Sequence, residues 1–528
     1  MTRVRALRRT RATFALVALL AATACTTVAG QSDNRVLRIV PGSDLSILDP
    51  MWTTATVSQD HGYMIYDTLF GMTAEGRIQP QMVDRYDTSP DGKTWTFTLR
   101  DGLEFHDGQP VTSADAMASL QRWGRRDVTG QKLLSFVDAW DVVDARTFRM
   151  RLKTPYGLVL ESLGKPGASV PFIMPKRVAA TSADKQIDDY TGSGPFIFKK
   201  DEWRPGEKVV YVRNPRYVPR ADPANGTAGG KIARVDRVEW VIITDPQTQA
   251  NALATGEVDF LEMPAFELYR TLKRDPDIQL LELSPLGGQN ILRFNQLEPP
   301  FDNPRVRRAA MAALNQEMFL QAQVGIPGLS RTCFSVYPCQ TPYATTTGMD
   351  FIAHPNPARA RQLLVESGYS GTPIVLLQST DVTSLAKLPL VAAQLLRQAG
   401  FTVDMQPMNW KSLVSRRARK TGWHIFITNA PGISQTNPID NYALGAGCDR
   451  AWFGWPCDPE LERLRDAFAH ATGDGERKAL AEQVQVRAME IATYVPLGEY
   501  VNPVATRRNV KGLLPGPQTM VLWNVEKQ

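Results

Sequence analysis

Four cysteines fall into two local pairs, Cys333 and Cys339 in CFSVYPC and Cys448 and Cys457 in CDRAWFGWPC. Sulfur at such spacing either closes a small loop as a disulfide, if the compartment is oxidising, or ligates a metal. Zinc sites favour two to four residues between cysteines, or a histidine close by. Both pairs are wider, and none of the five histidines (His61, His106, His354, His424, His470) lies beside either. Two disulfides, 333–339 and 448–457, are therefore expected, and no metal or cofactor. The histidines are themselves scattered. There is no G-x-S-x-G elbow, phosphate loop, H-E-x-x-H or G-x-G-x-x-G. A triad can assemble from distant residues, but nothing here singles one out, so the chain is not expected to be an enzyme.

The charge balance narrows the partners. The formal charge of +6 includes five arginines within the first 24 residues (Arg3, Arg5, Arg8, Arg9, Arg11), where no acid occurs; without them +1 remains. That gives no basic footprint for nucleic acid or anionic lipid. The arginines precede a short apolar run, Phe14 to Ala22, and then Ala22-Thr23-Ala24-Cys25. A basic segment, a short apolar segment and small residues make a secretory signal over residues 1–24. Cys25 stands where a lipidated first residue would, but Ala22 occupies the position at which lipoprotein signals usually carry Leu. Lipid anchor and unmodified cysteine both stay open. Export supplies the oxidising compartment that the cysteine pairs require.

At 528 residues the chain needs several cores. Its densest pattern runs from Thr94 to Trp123. Trp95, Phe97 and Leu99 alternate with threonines as a half-buried strand. Asp101-Gly102 turns the chain, Leu103–Phe105 reads as a second short strand, and His106–Pro110 as a second turn. Thr112 or Ser113 then caps a helix with Asp115 in its first turn and Ala116, Leu120 and Trp123 as its apolar stripe. His106 in that turn reads as structural. Upstream, Val36–Val40 is a strand, and a helix is expected around Gln59 to Phe70. Downstream, Val235–Ile243, Thr248–Leu253 and Phe260 form a strand–helix–strand run, as do Ile374–Gln378, Leu388–Ala399 and Phe401–Met405; such runs build parallel α/β sheets. Val521–Asn524 reads as a last short strand.

The segment LRDGLEFHDGQPVTSADAMASLQRW closely resembles the signature of the peptide-binding family of periplasmic solute-binding proteins (bacterial extracellular solute-binding protein family 5), the extracytoplasmic receptors of ABC importers. Further landmarks follow in the family's order: Leu48-Asp49-Pro50, Tyr66 to Leu69, Thr191 to Phe196 (TGSGPF), Arg213 to Tyr217 (RNPRY) and Pro299 to Arg307 (PPFDNPRVR). The resemblance implies an α/β clamshell of two lobes with an extra small domain: residues 25–70, 191–285 and 499–528 in a discontinuous lobe I, 71–190 in the accessory domain and 286–498 in lobe II. It implies a monomer that captures a small solute or short peptide by hinge closure and hands it to permease subunits. Nucleic acid is not a partner, and the membrane is touched only through a lipid on Cys25.

In this family an acid often holds a peptide's amino terminus, in a segment matching Phe426 to Pro438. Many relatives carry Trp where this chain has Ala430 and Asp where it has Ser434. A buried ammonium left without its partner costs about 3–5 kcal/mol, so either the ligand offers no amino terminus there or Asp440 substitutes. Asn429 and Asn437 flank the same segment, and His424 precedes the strand that leads into it. Trp52, Trp410 and Trp423 are aromatic candidates. The run Arg416, Arg417, Arg419, Lys420 reads as a solvated helix face, one of whose arginines could hold a carboxylate. The expected function is a receptor for a peptide or peptide-like solute. The alternatives are a receptor of the same fold for an opine, glycan fragment, metal chelate or polyamine-like cation, a periplasmic hydrolase, and a periplasmic chaperone or sensor partner.

Overall fold

The computed structural model describes residues 35–471, 473–516 and 519–528. Residues 1–24, expected to be a secretory signal, and Cys25 lie outside them. The residues from Asn34 onward form one unit, and among the described residues no helix is long and apolar enough to cross a membrane.

Two large sheets dominate. The first has seven strands in the spatial order Phe196–Phe198, Lys208–Arg213, Arg237–Val241, Val36–Val40, Phe260–Leu261, Val504–Arg507 and Ile278–Leu281. Val36–Val40 lies parallel to both Arg237–Val241 and Phe260–Leu261. The helix Pro246–Thr255 connects those two outer strands, which is the expected crossover. The second sheet has six strands: Ser330–Arg331, Tyr494–Tyr500, Gly288–Phe294, Ile425–Pro431, Ile374–Ser379 and Val403–Met408. Here Ile374–Ser379 and Val403–Met408 run parallel, bridged by the helix Leu388–Gln398. A four-stranded antiparallel sheet takes Val83–Thr88, Thr94–Leu99, Thr147–Leu152 and Val137–Val142.

The chain passes between the two large sheets at residues 282–287 and 501–503. The passages lie side by side, since Gly288 pairs with Tyr500. At Gly287 the backbone has φ +56°, and a Cβ there would lie 2.1 Å from the Tyr500 carbonyl oxygen, so only glycine fits.

The landmarks read from the sequence are joints of this scaffold. Arg122, on the helix Ser113–Gly124, donates to Asp49 Oδ2 at 2.7 Å in a buried ion pair. Asp67 pairs with Lys231 at 2.7 Å and accepts from the Tyr217 hydroxyl at 2.7 Å. His106 Nδ1 accepts from Gly192 N at 3.1 Å, which leaves Nε2 to donate to the Gly194 carbonyl at 3.2 Å. Burial lowers that imidazole to a pKa of about 4, so it stays neutral. Thr112 and Asp115 form the reciprocal cap at the helix start.

Three expected elements differ. The helix begun near Gln59 ends at Ile65, because Tyr66 turns extended (φ −118°, ψ 158°) and enters a short strand at Asp67–Thr68. Leu103–Phe105 reduces to a single bridge between Glu104 and Pro110. Val521–Asn524 is not a strand; the last strand is Glu526–Lys527.

Candidate functional site in the cleft between the sheets

The two large sheets face each other across a cleft. A cavity of about 90 Å³ in it is walled by Thr56, Phe260, Glu262, Leu283 and Met520 from the first sheet's side. From the second sheet's side come Asn429, Pro431 and Tyr500. A neighbouring cavity of about 40 Å³ shares Thr56, Glu262, Met263 and Asn429 and adds Gly42, Ser384 and Trp410. A third of about 40 Å³ extends along Val40–Asp44 and Asp381–Ser384. Shared walls join the three into one channel between the sheets.

Polar groups meet along it. Asn429 Nδ2 donates to Ser384 Oγ at 3.2 Å. The Tyr500 hydroxyl, on a side chain 1% exposed, lies beside both without hydrogen-bonding geometry to either. On the opposite wall Glu262 Oε2 accepts from Gly42 N at 2.6 Å, and buried Asp60 stands behind it. The main-chain N–H of Trp410 donates to Asp381 Oδ1 at 2.7 Å, which fixes the start of its helix at the cleft.

Of the residues singled out from sequence, the structure brings Asn429 and Trp410 to this channel. The others lie elsewhere. Ala430 is packed in the sheet opposite Gln289. Ser434 is buried against Gly167. Asn437 Nδ2 donates to Asp440 Oδ2 at 2.5 Å, and Asp440 also accepts from the Thr129 hydroxyl at 3.4 Å. Burial raises Asp440 to a pKa of about 6, against the opposing pull of Lys165. Lys165 itself is held by both oxygens of Asp127, at 3.0 and 2.9 Å. Asp440 thus belongs to a closed ionic cluster and not to the channel. Trp52 lies under Arg126, whose guanidinium is 5.0 Å from its ring centroid. His424 sits at the far end of the strand Ile425–Pro431, where Nδ1 accepts from Val375 N and Nε2 donates to the Pro299 carbonyl. Trp423 is fully buried core.

The basic run does not form a uniformly solvated face. Arg417 is 1% exposed, its guanidinium within 5.1–5.7 Å of the ring centroids of Trp410, Phe426, Trp452 and Phe453. The helix Trp410–Arg417 turns that position inward. Both cysteine pairs are bonded, with Cα–Cα distances of 5.8 and 4.1 Å. Glu499 lies close to Cys333 and Cys339, but their sulfurs are bonded to each other and offer no thiolate to a metal. Glu499 instead accepts from Cys339 N at 2.9 Å and Arg331 Nε at 2.6 Å.

Sequence reasoning missed Asp60, Glu262, Ser384 and Tyr500. Glu262 stands in a Leu-Glu-Met-Pro run after a strand with no local periodicity to mark it. Only the sheet order carries it to Asp60.

Two α/β sheets joined by paired crossing segments around a polar channel define a two-lobed binding protein. Solved structures show the same fold. A complex of the periplasmic binding protein AgaA with agropinic acid aligns at TM-score 0.80, with 23% identity over 93% of this chain and 99% of that one; its source is given as A. tumefacien R10. A dipeptide-binding protein from Pseudoalteromonas sp. SM9913, in complex with Met-Leu, aligns at 0.78, with 20% identity over 93% of this chain and all of that one. A relative from Sinorhizobium fredii (strain NBRC 101917 / NGR234) is 39% identical over 92% of both chains. It is described as a "Probable peptide ABC transporter periplasmic-binding protein". Residues 77–450 match the family described as bacterial extracellular solute-binding proteins, family 5. The chain belongs to that family.

Proposed function

We propose that the chain is the extracytoplasmic substrate-binding receptor of an ABC importer, closing its two lobes over a peptide or peptide-like solute and presenting it to permease subunits. The observation that carries this is the channel itself: its walls come from two different sheets that only paired crossing segments connect, so relative motion of the sheets opens or closes it. The family and the peptide-importer relative support the same reading. The division into a discontinuous lobe I, an accessory domain and lobe II fits the grouping of strands into the seven-, four- and six-stranded sheets. Binding without catalysis is the role that the family supports. Within the site, Asn429 and Trp410 are the contacts we assign to the solute.

A second reading has its own support. The family resemblance leads one to expect an acid for a peptide's amino terminus where this chain has Ser434, and the fold is shared with a protein complexed with agropinic acid. A non-peptide solute is that alternative. Uptake of an isotopically labelled peptide mixture by cells lacking the gene separates the two. Loss of uptake, restored by the wild-type gene but not by Asn429→Trp, supports the peptide receptor; unchanged uptake overturns it.

A further inference from the structure

Asp60 and Glu262 are 202 positions apart in the chain and adjacent in the fold, behind the cavity wall that Glu262 forms. Asp60 lies on the helix Thr56–Ile65 and is 0% exposed. Its Oδ1 accepts from the Thr519 hydroxyl at 2.8 Å and from Met520 N at 2.9 Å. Its Oδ2 has no donor and faces Glu262. Glu262, partly exposed, lines both adjoining cavities.

Two carboxyl groups in one buried site cannot both ionise cheaply. Each is held above the usual carboxylate range, by burial first and, for Asp60, by the neighbouring Glu262 charge second. Asp60 is the more buried of the two, so a single proton shared by the pair resides more cheaply on it than on Glu262. The pair then carries one negative charge, and Glu262 presents it to the cavity. Among the described residues neither acid pairs with a cation, and the only donors to them are Gly42 N, Met520 N and the Thr519 hydroxyl. A carboxylate so placed is poorly compensated. Across the cavity the buried Tyr500 hydroxyl, beside Asn429 and Ser384, is without a well-formed hydrogen bond among the described residues, and Tyr500 lines the same cavity.

We propose that Glu262, backed by Asp60, is the subsite for a cationic nitrogen of the bound solute, a protonated amine or guanidinium that carries N–H donors. This rests on reading the channel as the solute site. It moves recognition of positive charge from the segment around Ser434, which carries no acid facing the channel, to the opposite wall. The subsite asks only for a charged donor of that chemistry, so it serves a peptide's amino terminus, a basic side chain or an amine-bearing non-peptide equally.

The test is calorimetric titration of wild type and Glu262→Gln with three probes: the dipeptide Ala-Leu, its N-acetylated form, and agmatine. Folding of the variant is checked by its melting curve, and the wild-type comparison stands without it. The expected result is that Ala-Leu binds wild type at least about a hundredfold tighter than its acetylated form, and that Glu262→Gln loses this preference. Agmatine binding without dipeptide binding sustains the subsite and overturns the peptide reading. Equal binding of free and acetylated dipeptide sustains the peptide reading and overturns the subsite. Failure of both cationic probes at millimolar concentration, or an unchanged preference in Glu262→Gln, also overturns the subsite.

Discussion

Ser434 Oγ occupies the space that a side chain on Gly167 would need: a Cβ at Gly167 would lie 1.8 Å from it. Ser434 is 2% exposed and its hydroxyl has no hydrogen-bond partner. The position at which the family resemblance leads one to expect an acid is here a small side chain packed against a glycine.

Gly167→Ala is therefore expected to cost about 1–3 kcal/mol by overpacking. Pairing it with Ser434→Gly should return most of that loss. Equilibrium denaturation of the single and double variants measures the coupling. Additive costs would contradict the contact.

Asp440 gives a pH dependence of known sign. Its folded pKa of about 6 lies above the unfolded value near 3.9. Its contribution is therefore present in full below the unfolded pKa and is lost as pH rises through about 6. Asp440→Asn is expected to flatten the fall in stability between about pH 4 and 6, by up to roughly 1.4 kcal/mol per pH unit. Melting curves across that range, wild type against variant, check it.

Lys165→Met leaves the Asp127 carboxylate, 2.9 Å from its partner and buried, without a counter-charge. A loss of about 3–5 kcal/mol is expected. Adding Asp127→Leu should recover much of it, because an apolar pair replaces the buried ions. Urea denaturation distinguishes the two variants.

Arg417 makes the opposite case. Burial lowers its pKa to about 10, and its Nε has no hydrogen-bond partner. The four aromatic rings offset part of the cost of burying the charge. Arg417→Met keeps the packing and removes the charge, so its midpoint of denaturation is expected to stay within about 1 kcal/mol of wild type or to rise. A loss of several kcal/mol would show that the guanidinium itself stabilises the fold.

Local signals were legible in the sequence. The cap at Thr112 and Asp115, the stripe Ala116, Leu120, Trp123 and the two strand–helix–strand units all stand where the pattern puts them, because turn chemistry and apolar periodicity act over a few residues. The family landmarks pointed to the fold but not to the ligand: Asp49, Asp67 and His106 tie the scaffold together. Half-exposed features were harder. Arg417 reads as surface because its neighbours Arg416, Arg419 and Lys420 are more exposed, and only the packing of Trp452 and Phe453 reveals it as buried. The Asp60–Glu262 pair left no mark at all, since the sheet order that joins them is not a property of either segment.

Native mass spectrometry of the protein purified from exporting cells, followed by denaturation of the same sample, tests the central claim that the channel holds a solute. The account predicts excess mass on the folded protein that is released on unfolding: a ladder of short peptides for the peptide reading, or one discrete mass for the alternative. Equal native and denatured masses, with no rise in melting temperature when the protein is returned to an extract of its own growth medium, would contradict it. A solute at 100 times its Kd should stabilise the fold by about 2.7 kcal/mol.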